Sequence, residues 1–275
     1  MMRKLFILPL LILVFWSLHV EAQPAQLTPE EQKAVQTIRD RFNERINKEG
    51  RLEALIPDMF VTDMGTRYAK ERKADRAEGP LILLTPGIQY KREVLDSATE
   101  ADWRHGLSAS FNFMHIIAAP MLNRTIIAAK TGEGFDPDAV GPDLDKLISP
   151  QVLALFSKDP VLKNYLQKEG TATPIATVQD LRRVADILDK AHDMISANLS
   201  AADRQLTPEA ASLIKEMMGG DKEFGPWLDV SEREVYGFPK GTRFITFFAN
   251  PMEVLMITKI GTEYKIVSAQ ISSPD

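Results

Sequence analysis

One change of periodicity divides this chain. From Thr28 to about Gly220 the apolar residues recur three and four apart, and prolines sit just inside several segment starts; after Trp227 apolar and polar residues begin to alternate. A spacing of three or four lines one face of a helix, and alternation lines one face of a strand. Helices first and strands last predict an α+β fold, a helix-rich body followed by a C-terminal antiparallel β-meander.

The helix starts carry their own chemistry. Thr28-Pro29-Glu30-Glu31 offers a threonine cap, a proline where no amide hydrogen bond is needed, and a glutamate at the capping-box position. Val35, Ile38, Phe42 and Ile46 then form one buried stripe, and Gly50 ends the helix. A short turn over Leu52 to Leu55 is expected to stop at Pro57 and lead into a strand at Met59-Phe60-Val61. The mixed charges from Arg67 to Glu78 read as a solvated helix face. Leu81 to Leu84 reads as a short strand. Thr99, with Asp102 three residues on, caps a helix whose inner stripe is Trp103, Leu107, Phe111, Met114 and Ala118, with Pro120 ending or kinking it. Further starts fall at Ser149-Pro150, Asp159-Pro160, Thr177 and Thr207-Pro208. Leu181, Val184, Leu188, Ala191 and Ile195 form the stripe after Thr177.

The strands follow as Arg243–Phe248, Glu253–Lys259 and Tyr264–Ile271, with turns at Asn250-Pro251 and Gly261-Thr262. The order of long helix, short helix, short strand and a meander ending in Tyr264-Lys265-Ile266-Val267 resembles the NTF2-like cone fold, in which helices pack into the concave face of a curved sheet. The resemblance covers Pro29 to Val61 and Val235 to Ile271. It implies an alternative architecture, a cone with a large helical insertion, because the stretch from Asp96 to Gly220 has no counterpart. That fold hosts enzymes and non-catalytic modules alike, so it implies no particular function.

The N-terminus adds an address. Arg3 and Lys4 precede an apolar run from Leu5, and Val20-Glu21-Ala22 places small or modest side chains before Gln23. This is the order of a secretory signal peptide over 1–22, and the apolar stretch falls short of the roughly twenty residues that span a bilayer. A secreted or periplasmic location is expected, with 23–275 as a single globular domain: a helical part over about 27–220 and the meander over about 233–272. The chain holds no cysteine, so no disulfide can brace it. A core must do so, and a chain of this size buries roughly 70–75% of its unfolded surface. A net charge of −5 with both signs interspersed argues against a nucleic-acid partner.

No linear catalytic motif is assembled. His105 and His115 are ten residues apart, about 80° around one helix, and do not form a metal-binding pair. His105 follows Asp102 by three and could hydrogen-bond to it as an oriented base, so these two are the first catalytic residues to test. Ser212-Leu213-Ile214-Lys215, Ser196-Ala197-Asn198 and Lys130-Thr131-Gly132 match the three short patterns of β-lactamases in reversed order, which is what chance delivers. Ser108, in Gly106-Leu107-Ser108-Ala109-Ser110, reads as a mid-helix serine and not as a nucleophile elbow. Asp136, Asp138, Asp143 and Asp145 around Gly141 supply oxygen donors two apart, the raw material of a calcium loop. Val140 and Leu147 stand where two of its ligands belong. Trp103, Phe224 and Trp227 are candidates to line a ligand groove, against the plainer reading of core aromatics. The leading expectation is a non-catalytic module that binds a small molecule or protein outside the cytoplasm. The alternatives are an exported hydrolase with scattered acid/base residues, and a calcium-binding loop protein.

Overall fold

The computed structural model describes residues 27–52, 56–74, 81–82, 88–130, 148–163, 173–200, 202–217 and 225–271. Helix α1 (Pro29–Glu49) begins with the expected capping box. Thr28 Oγ1 accepts from the Glu31 amide at 3.2 Å, and Glu31 Oε2 accepts from the Thr28 amide at 2.8 Å. Its stripe is buried, with Phe42 fully so, and it ends at Gly50 in the left-handed region at φ 67°. There glycine avoids the clash a Cβ would meet.

Three local expectations are corrected. Pro57 does not stop a turn; it lies inside α2 (Ile56–Met59), because a first-turn residue has no intrahelical amide bond to lose. Met59 belongs to that helix, and Phe60 makes only a single parallel bridge to Ile266, with the Val61 amide donating to the Ile266 carbonyl at 3.0 Å. Pro120 does not end its helix, since α5 (Glu100–Lys130) continues through it. Proline removes one amide donor from a long ladder, and tertiary packing can carry that loss.

The remaining helices are α3 (Met64–Ala74), α4 (Glu93–Ser97), α6 (Pro150–Lys158), α7 (Val178–Asn198) and α8 (Pro208–Met217). Thr177 caps α7 in a second capping box with Asp180, and Leu181, Val184, Leu188, Ala191 and Ile195 are buried as the spacing required. Two short strands, β1 (Leu81–Ile82) and β2 (Gln89–Tyr90), pair antiparallel.

The meander has four strands in sequential order: β3 (Trp227–Val230), β4 (Arg243–Phe248), β5 (Glu253–Ile260) and β6 (Glu263–Ile271). It therefore starts at Trp227, earlier than the expected 233, because the short β3 pairs with β4 across the 231–242 connection. The α+β arrangement of helical body and terminal meander stands.

Ile245, Phe247, Leu255, Ile257, Ile266 and Ala269 from the sheet join Phe42, Trp103, Leu107 and Leu188 from the helices in one core cluster. Helix α1 is fastened to the sheet by polar ties as well. Asn43 Nδ2 donates to the Ala249 carbonyl at 2.7 Å, and Arg243 meets Glu31 through two hydrogen bonds of 2.8 and 3.0 Å. Among the described residues no helix is long and apolar enough to cross a membrane.

Candidate functional site

Helix α5 carries both acid/base candidates, and the fold gives each a different partner. Asp102 is buried. It accepts from the Thr99 amide and hydroxyl at 2.9 and 2.7 Å, as a helix-capping carboxylate does. It also takes a two-pronged contact from Arg182 on α7, with Nε at 2.6 Å and Nη2 at 3.2 Å. The arginine is the main reason the Asp102 carboxyl is held far below the usual carboxylate range, with the Thr99 hydrogen bonds adding to it against the opposing pull of burial. A carboxylate so firmly ionised does not serve as a base near neutral pH.

His105 does not orient on Asp102. Its Nε2 lies 3.0 Å from Asp189 Oδ2 and 3.7 Å from Asp186 Oδ1, both on α7. The expected Asp102–His105 pair is therefore overturned, because each side chain faces a charge on the neighbouring helix and not one on its own. His192 is buried on α7, its charged form disfavoured first by burial and then by Arg51 nearby.

What Asp102 does is position Arg182. The guanidinium stands at the wall of an open cleft of about 500 Å³ between α4 and the start of α7, lined by Glu93, Val94, Ser97, Ala176, Thr177, Val178, Gln179 and Arg182. The Arg182 side chain is 58% exposed, and its known bonds use Nε and Nη2 alone. Its Nη1 donors take no partner among the described residues, so one edge of a fixed cation faces outward. Val94 and Val178 supply apolar surface, and Glu93, Ser97, Thr177 and Gln179 supply polar groups. Nothing in the local sequence marks this cleft, since α4 and α7 are more than eighty residues apart.

A second arrangement lies on the face of α5 that meets the sheet. His115 Nδ1 is 2.6 Å from Glu253 Oε1; the glutamate side chain is wholly buried and the histidine 8% exposed. Glu253 shares strand parity with Leu255 and Ile257, both core residues. A charge at an inward position of a strand was the one signal that could have flagged it. The other oxygen, Oε2, is buried without a hydrogen-bond partner. One turn before His115, Asn112 Oδ1 accepts from the Leu52 amide at 2.8 Å.

The remaining sequence candidates separate. Trp103 is core, packed on Tyr68 and Tyr90 at 6.0 and 5.3 Å between ring centroids. Trp227 is 37% exposed and leans on Phe248 at the edge strand, so the two tryptophans share no groove. Phe224 and the acids Asp136, Asp138, Asp143 and Asp145 lie outside the described residues. Among the described residues no cluster of three potential metal ligands occurs. Ser108 is buried within α5. No family model, no curated protein and no solved structure matches the chain.

Proposed function

We propose that this chain is an exported binding module that captures a small, carboxylate-bearing polar molecule in the cleft between α4 and α7. The observation that carries the reading is Arg182, a residue lining the cleft, immobilised by Asp102 through Nε and Nη2 while its Nη1 donors take no partner among the described residues. A guanidinium held this way loses little freedom on meeting a ligand carboxylate, and its planar donors match two carboxylate oxygens. Glu93 on the same rim answers a donor group on the ligand, which favours zwitterions such as free amino acids. The cleft volume lies within the usual range for small-molecule sites. The N-terminal charged–apolar–small order supports delivery outside the cytoplasm.

Titration of the ¹⁵N-labelled chain after Ala22 with acetate, succinate, glycine and glutamate tests the site. Saturable amide shifts at Val94, Thr177, Val178 and Gln179 are expected for at least one of the four, weakened tenfold or more in Arg182→Gln. No saturable shift with any of them, or equal binding by the variant, removes the reading. Mass spectrometry of the N-terminus in an extracytoplasmic fraction tests export separately; a chain found only in cytosol with Met1 intact refutes it.

A further inference from the structure

The two edges of the meander are treated differently. Sheet order puts β6 and β3 at its ends. β6 is met at Ile266 by the parallel bridge from Phe60, where the Ile266 carbonyl accepts the Val61 amide at 3.0 Å. β3 has β4 alone beside it among the described strands. The direction of its backbone groups follows from the end of the ladder. There the Ser231 amide donates to the Thr242 carbonyl at 2.9 Å, and the Ser231 carbonyl accepts from the Gly241 amide at 2.8 Å. Both polar groups of Ser231 thus turn toward β4. Pairing alternates along an antiparallel strand, so Asp229 and Trp227 turn toward β4 too, and the amides and carbonyls of Leu228 and Val230 turn to the outer edge. Val230 is 45% and Trp227 37% exposed, with Asp229 exposed beside them, so this edge reaches solvent.

An outer edge with unused donors and acceptors can take an added strand, and the side chains along it say which. Trp227 and Asp229 lie on one face of β3, Leu228 and Val230 on the other. Asp229 and Glu232 are exposed acids, whereas the neighbouring cations are taken: Arg233 by Glu71 of α3 at 3.1 Å and Arg243 by Glu31 of α1 at 2.8 Å. A second copy pairing antiparallel through Leu228 and Val230 would set Asp229 against Asp229. Residues so placed have Cα atoms only about 4.5 Å apart, and like charges there are destabilising. A cation in the same place is attracted. We infer that β3 is a docking edge for an extended peptide carrying a lysine or arginine between apolar residues, at a surface that shares no residue with the cleft. The added strand exchanges main-chain hydrogen bonds with Leu228 and Val230, sets its cation opposite Asp229, and lays the next side chain on that face against Trp227. Main-chain bonds supply the attachment, and Asp229 selects by sign and rejects a second copy.

The test titrates the ¹⁵N-labelled chain with the peptide acetyl-Thr-Val-Lys-Val-Tyr-Thr-amide and with its counterpart holding Glu in place of Lys. Saturable shifts and slowed hydrogen exchange are expected at the Leu228 and Val230 amides, with the Lys peptide bound about fivefold more tightly than the Glu peptide. Asp229→Lys, a change at an exposed position, should reverse that preference and leave the amide shifts of α5 and α7 unaltered. Absence of saturable shifts at Leu228 and Val230 with millimolar Lys peptide overturns the inference, and so does equal affinity of the wild type for the two peptides. Sedimentation of the chain alone should give a monomer. A dimer that Val230→Pro abolishes would assign the edge to a second copy and overturn the inference as well.

Discussion

Adding one carbon at Gly65 tests how closely the helical body is packed. A Cβ there would lie 2.5 Å from the Trp103 Cβ on α5 and 3.2 Å from the Glu100 carbonyl oxygen. Ordinary carbon contacts begin near 3.5 Å, so α3 and α5 must part by roughly 1 Å. The obstructing atom is fixed to its own backbone and cannot rotate away. Overpacking of this kind costs about 1–3 kcal/mol, and the upper half of that range applies where no side chain can yield. Replacing glycine in a helix returns at most about 1 kcal/mol, less near a helix start. The net loss for Gly65→Ala is therefore about 2 kcal/mol. Gly106→Ala is the matched control. There the new carbon would meet Leu181 Cδ1 at 2.9 Å, the tip of a flexible side chain, in the interior of α5. Rotation of Leu181 and the gain in helix propensity should leave it within about 1 kcal/mol of wild type. Urea unfolding followed by tryptophan fluorescence reports both. With a slope near 3 kcal/mol/M, Gly65→Ala should lower the midpoint by about 0.7 M. Equal midpoints for Gly65→Ala and wild type would refute the close approach of α3 to α5.

Two further outcomes follow from the same structure. Phe42→Ala removes a fully buried ring from the stripe of α1 and should cost about 3–5 kcal/mol, measured by the same unfolding curve. Arg182 and Thr99 depress the Asp102 carboxyl in the folded chain, so the stability it contributes is whole above about pH 4 and drains away as pH falls toward the folded value. The gap between wild type and Asp102→Asn should stay constant from pH 6 to 8 and narrow below about pH 4; a gap that widens in acid contradicts the assignment.

Elements were legible in the sequence where one local interaction decides them. The capping boxes at Thr28 and Thr177 join residues three apart, and the stripes of α1 and α7 repeat within a turn, so both helices could be read directly. The hairpin at Gly261 is as local, with a φ of 62° that suits glycine. Pro57 and Pro120 misled because a proline states only what its own amide cannot do, while surrounding contacts decide whether the helix goes on. The sites were hidden for a related reason. Asp102 lies beside Thr99 and near His105 in sequence, yet its decisive partner, Arg182, is 80 residues away. His115 and Glu253 are separated by 138.

Both the Asp102–Arg182 and the His115–Glu253 contacts depend on α5, and its length keeps them apart. Asp102 stands in the first turn and faces α7; His115, thirteen residues on, faces the sheet, about 20 Å farther along the axis at 1.5 Å per residue. A bound carboxylate at Arg182 therefore has no direct electrostatic hold on the His115 imidazole, since 20 Å is about twice the screening length at 0.1 M salt. Any coupling has to pass through the position of the helix itself. That position is set where Gly65 lets α3 rest on Trp103 and where Gly106 lets Leu181 of α7 approach. Loss of ligand binding in Gly65→Ala would thus mark a displaced α5, whereas His115→Gln, farther along the helix, should leave binding at Arg182 unchanged.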